Sequence, residues 1–158
     1  MAIVYLALGS NVGDSGRHIE QAIGLLQERV SGLVRAPMYR SRATGYTEQP
    51  DFWNTVVGGQ TDLSPHELLE FVKGLEEQVG RVRRFRWGPR EIDIDIILYG
   101  QAILDEPELM IPHLRLAERE FVLQPLYDLA PELVEPRSGR RVRELLADLP
   151  DTQRSIVR

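Results

Sequence analysis

Residues 91–99, Glu-Ile-Asp-Ile-Asp-Ile-Ile-Leu-Tyr, constrain the fold more than any other stretch of the chain. In a helix, Asp93 and Asp95 would point to nearly opposite sides and share nothing. In a strand they stand on one face with α-carbons roughly 6.6 Å apart, two strand rises of about 3.3 Å, while Ile92, Ile94 and Ile96 enter a core on the other. The strand reading explains all five residues together. It also raises a difficulty, because aspartate is disfavoured in strands and two on one face repel, so the pair calls for a cation or arginines beside it.

The surrounding pattern predicts the rest of a sheet. Residues 3–8 form an apolar, β-favouring run that stops at Gly9. Ile19, Ala22, Ile23 and Leu26 mark one helical stripe, with Asp14 or Ser15 as its cap. A second strand is expected over 33–41, with Pro37 at an edge or bulge, and a third over 52–61. "SPHE" at 64–67 is a capping box with proline at the first helical position, and its helix should run to Gly80. After residue 99, Gly100 and "QAIL" suggest a hairpin. Residues 42–51 and 81–90 have no periodicity and read as long loops, a frequent home of function. The order β-α-β-β-α-β predicts an α+β fold: a ferredoxin-like antiparallel sheet with helices packed on it, followed by a C-terminal α/β extension. The 158 residues fit a single domain, 1–158.

The chemistry at the aspartates is bounded by what the chain lacks and what stands next to them. There is no cysteine and there are only three histidines, so thiolate sites are excluded and paired carboxylates point to Mg²⁺, which normally bridges carboxylates to substrate phosphates. "RVRRFRWGPR" (81–90) adds Arg81, Arg83, Arg84, Arg86 and Arg90, forked donors that match phosphate oxygens. Lys73 is the sole lysine, so arginine is the default cation here and single arginines can equally be solvated loop charges. "GSNVGD" (9–14) lacks a P-loop's lysine and spacing and reads as turn and cap chemistry. Phe52, Trp53 and Phe121 read as core by composition alone. The net charge of -5 argues against generic nucleic-acid or membrane attraction, and the first residues read as a strand and not as a signal peptide. A cytoplasmic protein that binds neither nucleic acid nor membrane is expected.

"LALGSNVGD", "GYTEQPDFWN", "RWGPREIDIDII" and "IPHLRLAEREFVLQPL" occur in that order over nearly the full chain. Together they closely resemble the 6-hydroxymethyl-7,8-dihydropterin pyrophosphokinases of folate biosynthesis. The resemblance implies transfer of diphosphate from ATP to 6-hydroxymethyl-7,8-dihydropterin, giving AMP and the pterin diphosphate. It implies two Mg²⁺ ions held by Asp93 and Asp95, with Arg81 and Arg90 serving ATP and the transferred group as catalytic residues. It places Glu76, Arg83, Trp87, Arg90, Ile96, His113 and Arg119 at the nucleotide. Phe52 and Phe121 would sandwich the pterin, Asn54 would read its amide edge, and Ser41, Ala43, Thr44 and Trp87 would line the same pocket. Loops 42–51 and 81–90 are expected to close over both substrates, in a monomer. Glu108 and Leu114 depart from the family pattern, standing where relatives can place an arginine and a tyrosine.

Two other readings suit parts of the sequence. Paired aspartates on such a sheet also fit another Mg²⁺-dependent nucleotidyl or phosphoryl transferase. An arginine loop beside aromatics fits an RNA-binding module, although the acidic total and the carboxylates argue against it.

Overall fold

The structure is a computed structural model that describes residues 1–43, 48–81 and 88–158. Strand β1 (Ala2–Ser10) lies at the centre of the main sheet, between β4 (Phe52–Thr61) and β5 (Asp93–Tyr99), both antiparallel to it. The apolar run expected over 3–8 extends by a residue or two at each end. Beyond β4 lie β2 (Ser31–Arg35) and β3 (Tyr39–Ser41), so the order is β2-β4-β1-β5 with β3 also on β4.

The single strand expected over 33–41 is therefore two. Pro37 has no amide hydrogen to give a ladder, and the chain leaves β4 there before rejoining it at Tyr39. The expected hairpin at Gly100 is also corrected: β5 does not pair with the segment after it. The hairpin instead joins β6 (Leu104–Glu106) to β7 (Leu109–Ile111) as a separate two-stranded sheet. Short apolar runs fit either pairing, and Gly100 at φ 52° serves as a turn whose N–H returns to the Ile3 carbonyl.

Helices α1 (Ser15–Leu26) and α2 (Pro65–Val79) lie where their stripes predict. Asp14 caps α1 by accepting the Arg17 N–H, and Ser64 and Glu67 complete the capping box of α2. Gly80 ends α2 at φ 109°, a left-handed conformation that any side chain would strain. Their buried faces meet Leu6, Leu8, Ile92, Ile94 and Ile96 in one core cluster.

Among the described residues, the other face of the sheet is covered only in part. Helices α3 (Glu120–Leu129) and α4 (Val142–Ala147) pack over Ala7, Val56, Ile97 and Leu98 in a second cluster. Ile97 follows Asp93 and Asp95 onto this side by alternation, and Leu98 joins it because the β1–β5 register shifts there: Leu6 opposes Ile96 and Tyr5 opposes Leu98, leaving Ile97 as an extra residue. Toward the start of β5 that face carries Asp93 and Asp95 in place of aliphatic residues, and there the candidate site opens. Among the described residues, no helix is long and apolar enough to cross a membrane.

Candidate active site

Sheet register assembles the floor of the site. Gly9 stands between Asp93 on one neighbour and Asn54 on the other, and Ala7 stands between Asp95 and Val56. Small residues on β1 thus leave room over the sheet between the acids of β5 and the polar groups of β4. A Cβ on Gly9 would lie 2.9 Å from Asn54 Oδ1 and 3.7 Å from the Phe52 ring, so glycine is what lets both side chains lean in. Asn54 is buried and donates from Nδ2 to Ser41 Oγ at 2.7 Å.

The compensating arginines anticipated for the aspartates are present. Arg81 Nη1 donates to Asp93 Oδ1 at 3.2 Å and to Glu76 Oε1 at 2.8 Å, and Arg90 Nη1 donates to Asp93 Oδ2 at 3.0 Å. Glu76 is only 3% exposed and also accepts the Ile94 N–H at 2.7 Å, so one buried carboxylate ties α2, Arg81 and the acidic strand together. Lys73 Nζ lies 3.4 Å from the same Glu76 oxygen.

Among the described residues, Asp95 has no comparable guanidinium bond, and His113 Nε2 lies 3.9 Å from its Oδ2. Burial, reinforced by the charge of Asp93, pushes its carboxyl up to about 7. His113 moves oppositely: burial and the Arg119 charge bring it down to about 4, so the ring is neutral near pH 7. Its Nδ1 accepts the Arg115 N–H at 3.1 Å, which leaves the proton on Nε2, the nitrogen facing Asp95.

Two clefts meet over these groups. One, about 650 Å³ counted to its mouth, is lined by Phe52, Asn54, Ser41 and Phe121, with Arg90, Asp93, Asp95 and Arg119 at its charged end. Arg119 stacks 5.5 Å from the Phe121 ring centre. The other, about 840 Å³, is lined by Lys73, Ile96, His113 and Arg115, with Asp95 and Arg119 again at its inner end. Asp95 and Arg119 belong to both. Glu108 and Leu114, the two departures from the family pattern, line the second cleft.

Of the residues singled out in sequence, Ser41, Phe52, Asn54, Arg90, Asp93, Asp95, Arg119 and Phe121 share the first cleft, while Ile96 and His113 join Asp95 and Arg119 in the second. Glu76 and Arg81 stand behind Asp93, and Ala43 is buried beyond the first cleft's lining. Thr44, Arg83, Arg84, Arg86 and Trp87 lie outside the described residues, as do the central parts of both loops expected to close.

Three contributors had no usable sequence signal. Arg42 lines the first cleft and Lys73 the second. Asn11, read in sequence as part of a turn, is buried and bridges the ends of both loops. Its Nδ2 donates to Gln49 Oε1 at 2.8 Å and the Pro50 carbonyl at 3.0 Å, and its Oδ1 accepts the Arg90 N–H at 2.8 Å. Away from the clefts, His66 meets Glu106 across 3.0 Å and joins the start of α2 to the β6–β7 hairpin on the exposed surface.

The family model of 7,8-dihydro-6-hydroxymethylpterin-pyrophosphokinase (HPPK) matches residues 5–131. The chain is 43% identical over 149 residues to the 2-amino-4-hydroxy-6-hydroxymethyldihydropteridine pyrophosphokinase of Pseudomonas aeruginosa, covering 93% of this chain and 91% of the relative. It is 42% identical over 144 residues to the protein of the same name from Aquifex aeolicus, covering 91% and 90%. The fold resembles wild-type Plasmodium falciparum HPPK-DHPS, with a TM-score of 0.74 at 16% identity, over 92% of this chain and 44% of that one.

Proposed function

The chain belongs to the 7,8-dihydro-6-hydroxymethylpterin-pyrophosphokinase family, and from that premise we propose that it transfers the diphosphoryl group of ATP to 6-hydroxymethyl-7,8-dihydropterin in folate biosynthesis. A bond forms between the hydroxymethyl oxygen and the β-phosphorus and the α–β phosphoanhydride bond breaks. AMP departs and the hydroxyl proton is released. The observation that carries this reading is the meeting of two dissimilar clefts at Asp95 and Arg119. One offers stacking faces and a directional amide, suited to a flat ring with a polar edge, and the other offers cationic and imidazole groups, suited to a nucleotide phosphate chain.

The donor set fits Mg²⁺. Asp93 and Asp95 present hard oxygens on one strand face, and burial, reinforced by the charge of Asp93, raises the Asp95 carboxyl to about 7, a cost that a bound cation would relieve. Both residues would hold the ions, two of them by family likeness. When bound, the ions supply charge neutralisation and alignment along the phosphates.

The chain's own groups do the rest. Phe52 and Phe121 hold the pterin between their rings while Asn54, oriented by Ser41, reads its edge, with Ala43 and Thr44 completing that side. Arg81 and Arg90 neutralise Asp93, and with Asp93 holding a metal their forked donors would be available to phosphate oxygens and would stabilise the charge developing there. Glu76 acts through Arg81. Ile96, His113 and Arg119 receive the nucleotide, with Arg83 and Trp87 beside it. The β2-β4-β1-β5 order supports a ferredoxin-like sheet, α3 and α4 the C-terminal extension, and the two core clusters on opposite faces of that one sheet a single domain spanning 1–158. We take the protein to be a cytoplasmic monomer.

Product analysis tests the reaction. Protein, ATP, Mg²⁺ and 6-hydroxymethyl-7,8-dihydropterin should yield AMP and pterin diphosphate in equal amounts. ADP in place of AMP would favour the other phosphoryl transferases. Tight, strongly salt-dependent RNA binding with no turnover would favour the RNA-binding module.

Asn54→Ala tests the pterin cleft by itself. Losing one directed polar pair in a buried site costs about 1–3 kcal/mol, so the pterin KM should rise roughly 10- to 100-fold with the ATP KM unchanged. Equal shifts in both KM values would place Asn54 outside the pterin contacts.

A further inference from the structure

The last five residues run along the outer edge of β3, on the side away from β4. Arg42 N–H donates to the Ser155 carbonyl at 2.9 Å, Val157 N–H donates to the Arg40 carbonyl at 2.8 Å, and Ser41 faces Ile156 across an antiparallel bridge. Ile156 is buried, and Arg42 Nη2 reaches the Arg154 carbonyl at 2.8 Å. Strand β3 is three residues long, too short for an edge to be well ordered by one neighbour alone. The tail gives it a second.

The same tail is bound from the opposite wall by Glu120, the first residue of α3, whose side chain is 0% exposed. Its Oε1 accepts the Ile156 N–H at 3.0 Å, and its Oε2 lies 3.0 Å from Arg158 Nη2 and 3.5 Å from Arg154 Nη1. Burial alone would raise this carboxyl, but the Ile156 N–H and the two arginines outweigh it and hold it below the ordinary range. A buried carboxylate is tolerated only when paired, so Glu120 and the tail depend on each other.

The residues so joined border the pterin cleft from two sides. Ser41, which orients Asn54, and Arg42 form one wall, and Phe121, adjacent to Glu120, forms the other. Nothing in the tail borders the nucleotide cleft. We propose that residues 154–158, clamped by Glu120, are a positioning brace that sets the spacing between the edge-reading wall and the stacking wall of the pterin cleft. The proposal rests on the pterin reading of that cleft and assigns Glu120 and the tail chiefly to the pterin, although Arg119, the neighbour of Glu120, lines both clefts.

Two variants test it, Glu120→Gln and a chain ending at Gln153, each first shown by thermal melting to be folded at the assay temperature. The pterin KM should rise about tenfold in both, with the ATP KM within about twofold and kcat within about threefold. Amide exchange over 39–43 and 119–123 should quicken while β1 and β5 are unchanged. Folded variants with an unaltered pterin KM would overturn the brace, as would a parallel rise in both KM values that tracks lost stability. If the parent protein turned over no pterin, the functional reading would fail, and exchange would still decide the coupling. Unchanged exchange at both walls in Glu120→Gln would refute it, and faster exchange at both would uphold it.

Discussion

Asp95→Asn is expected to lose at least about a thousandfold in turnover while becoming more stable than the parent at pH 8. The activity loss follows from the metal-holding role proposed for Asp95, because the change puts a neutral amide in place of a carboxylate at the junction of the two clefts. The stability gain follows from its titration. The carboxyl sits at about 7 in the folded, metal-free protein against 3.8 ordinarily, because burial and the neighbouring Asp93 disfavour its charge. Its folded value is raised, so the folded state holds the proton more tightly. The contribution is fully present below the unfolded value and is lost as pH rises through about 7. The amide does not undergo that loss. We expect a gain of about 1–2 kcal/mol at pH 8, shrinking toward zero near pH 4, by denaturant unfolding without metal. Near-normal turnover would remove Asp95 from the metal site, and a gain independent of pH would remove the electrostatic explanation.

Glu76→Ala should be the most destabilising change near the site, at about 3 kcal/mol, with kcat reduced roughly a hundredfold. Alanine leaves the buried Ile94 N–H without its acceptor and releases Arg81 from the orientation in which it faces Asp93. The two effects separate in Glu76→Gln. The amide oxygen can still accept the Ile94 N–H, so the stability loss should fall to about 1 kcal/mol, while the lost charge leaves Arg81 poorly held and turnover low. Folded Glu76→Gln with parental kcat would show that Arg81 needs no such support.

The parts legible in sequence were those carried by local periods and end signals. The capping box at Ser64, the left-handed Gly80 and the shared face of Asp93 and Asp95 are short-range consequences of helix and strand geometry. The break at Pro37 was visible as an irregularity but not as two strands, because whether the chain rejoins β4 depends on Asn54 and its neighbours. The hairpin was misplaced because the Gly100 turn and the 104–111 hairpin carry similar local patterns, and only packing selects between them.

Residue types also pointed to a chemistry for the site: two carboxylates on one strand, arginines before them and no cysteine favour Mg²⁺ and phosphate before any coordinate is known. What the sequence by itself determined was therefore the strand that bears the acids, the helices behind it and the class of reaction they suit. The tertiary structure alone decided which groups face one another: Gly9 between Asp93 and Asn54, Asn11 across both loop ends, Glu76 on the Ile94 N–H, and Glu120 on the C-terminal tail. The physical reason is range. Periodicity and capping act over a few residues, whereas these partners are brought together by sheet register and by the packing of helices and loops on the sheet, between segments far apart in the chain, where a one-residue slip of a strand would turn its side chains to the other face.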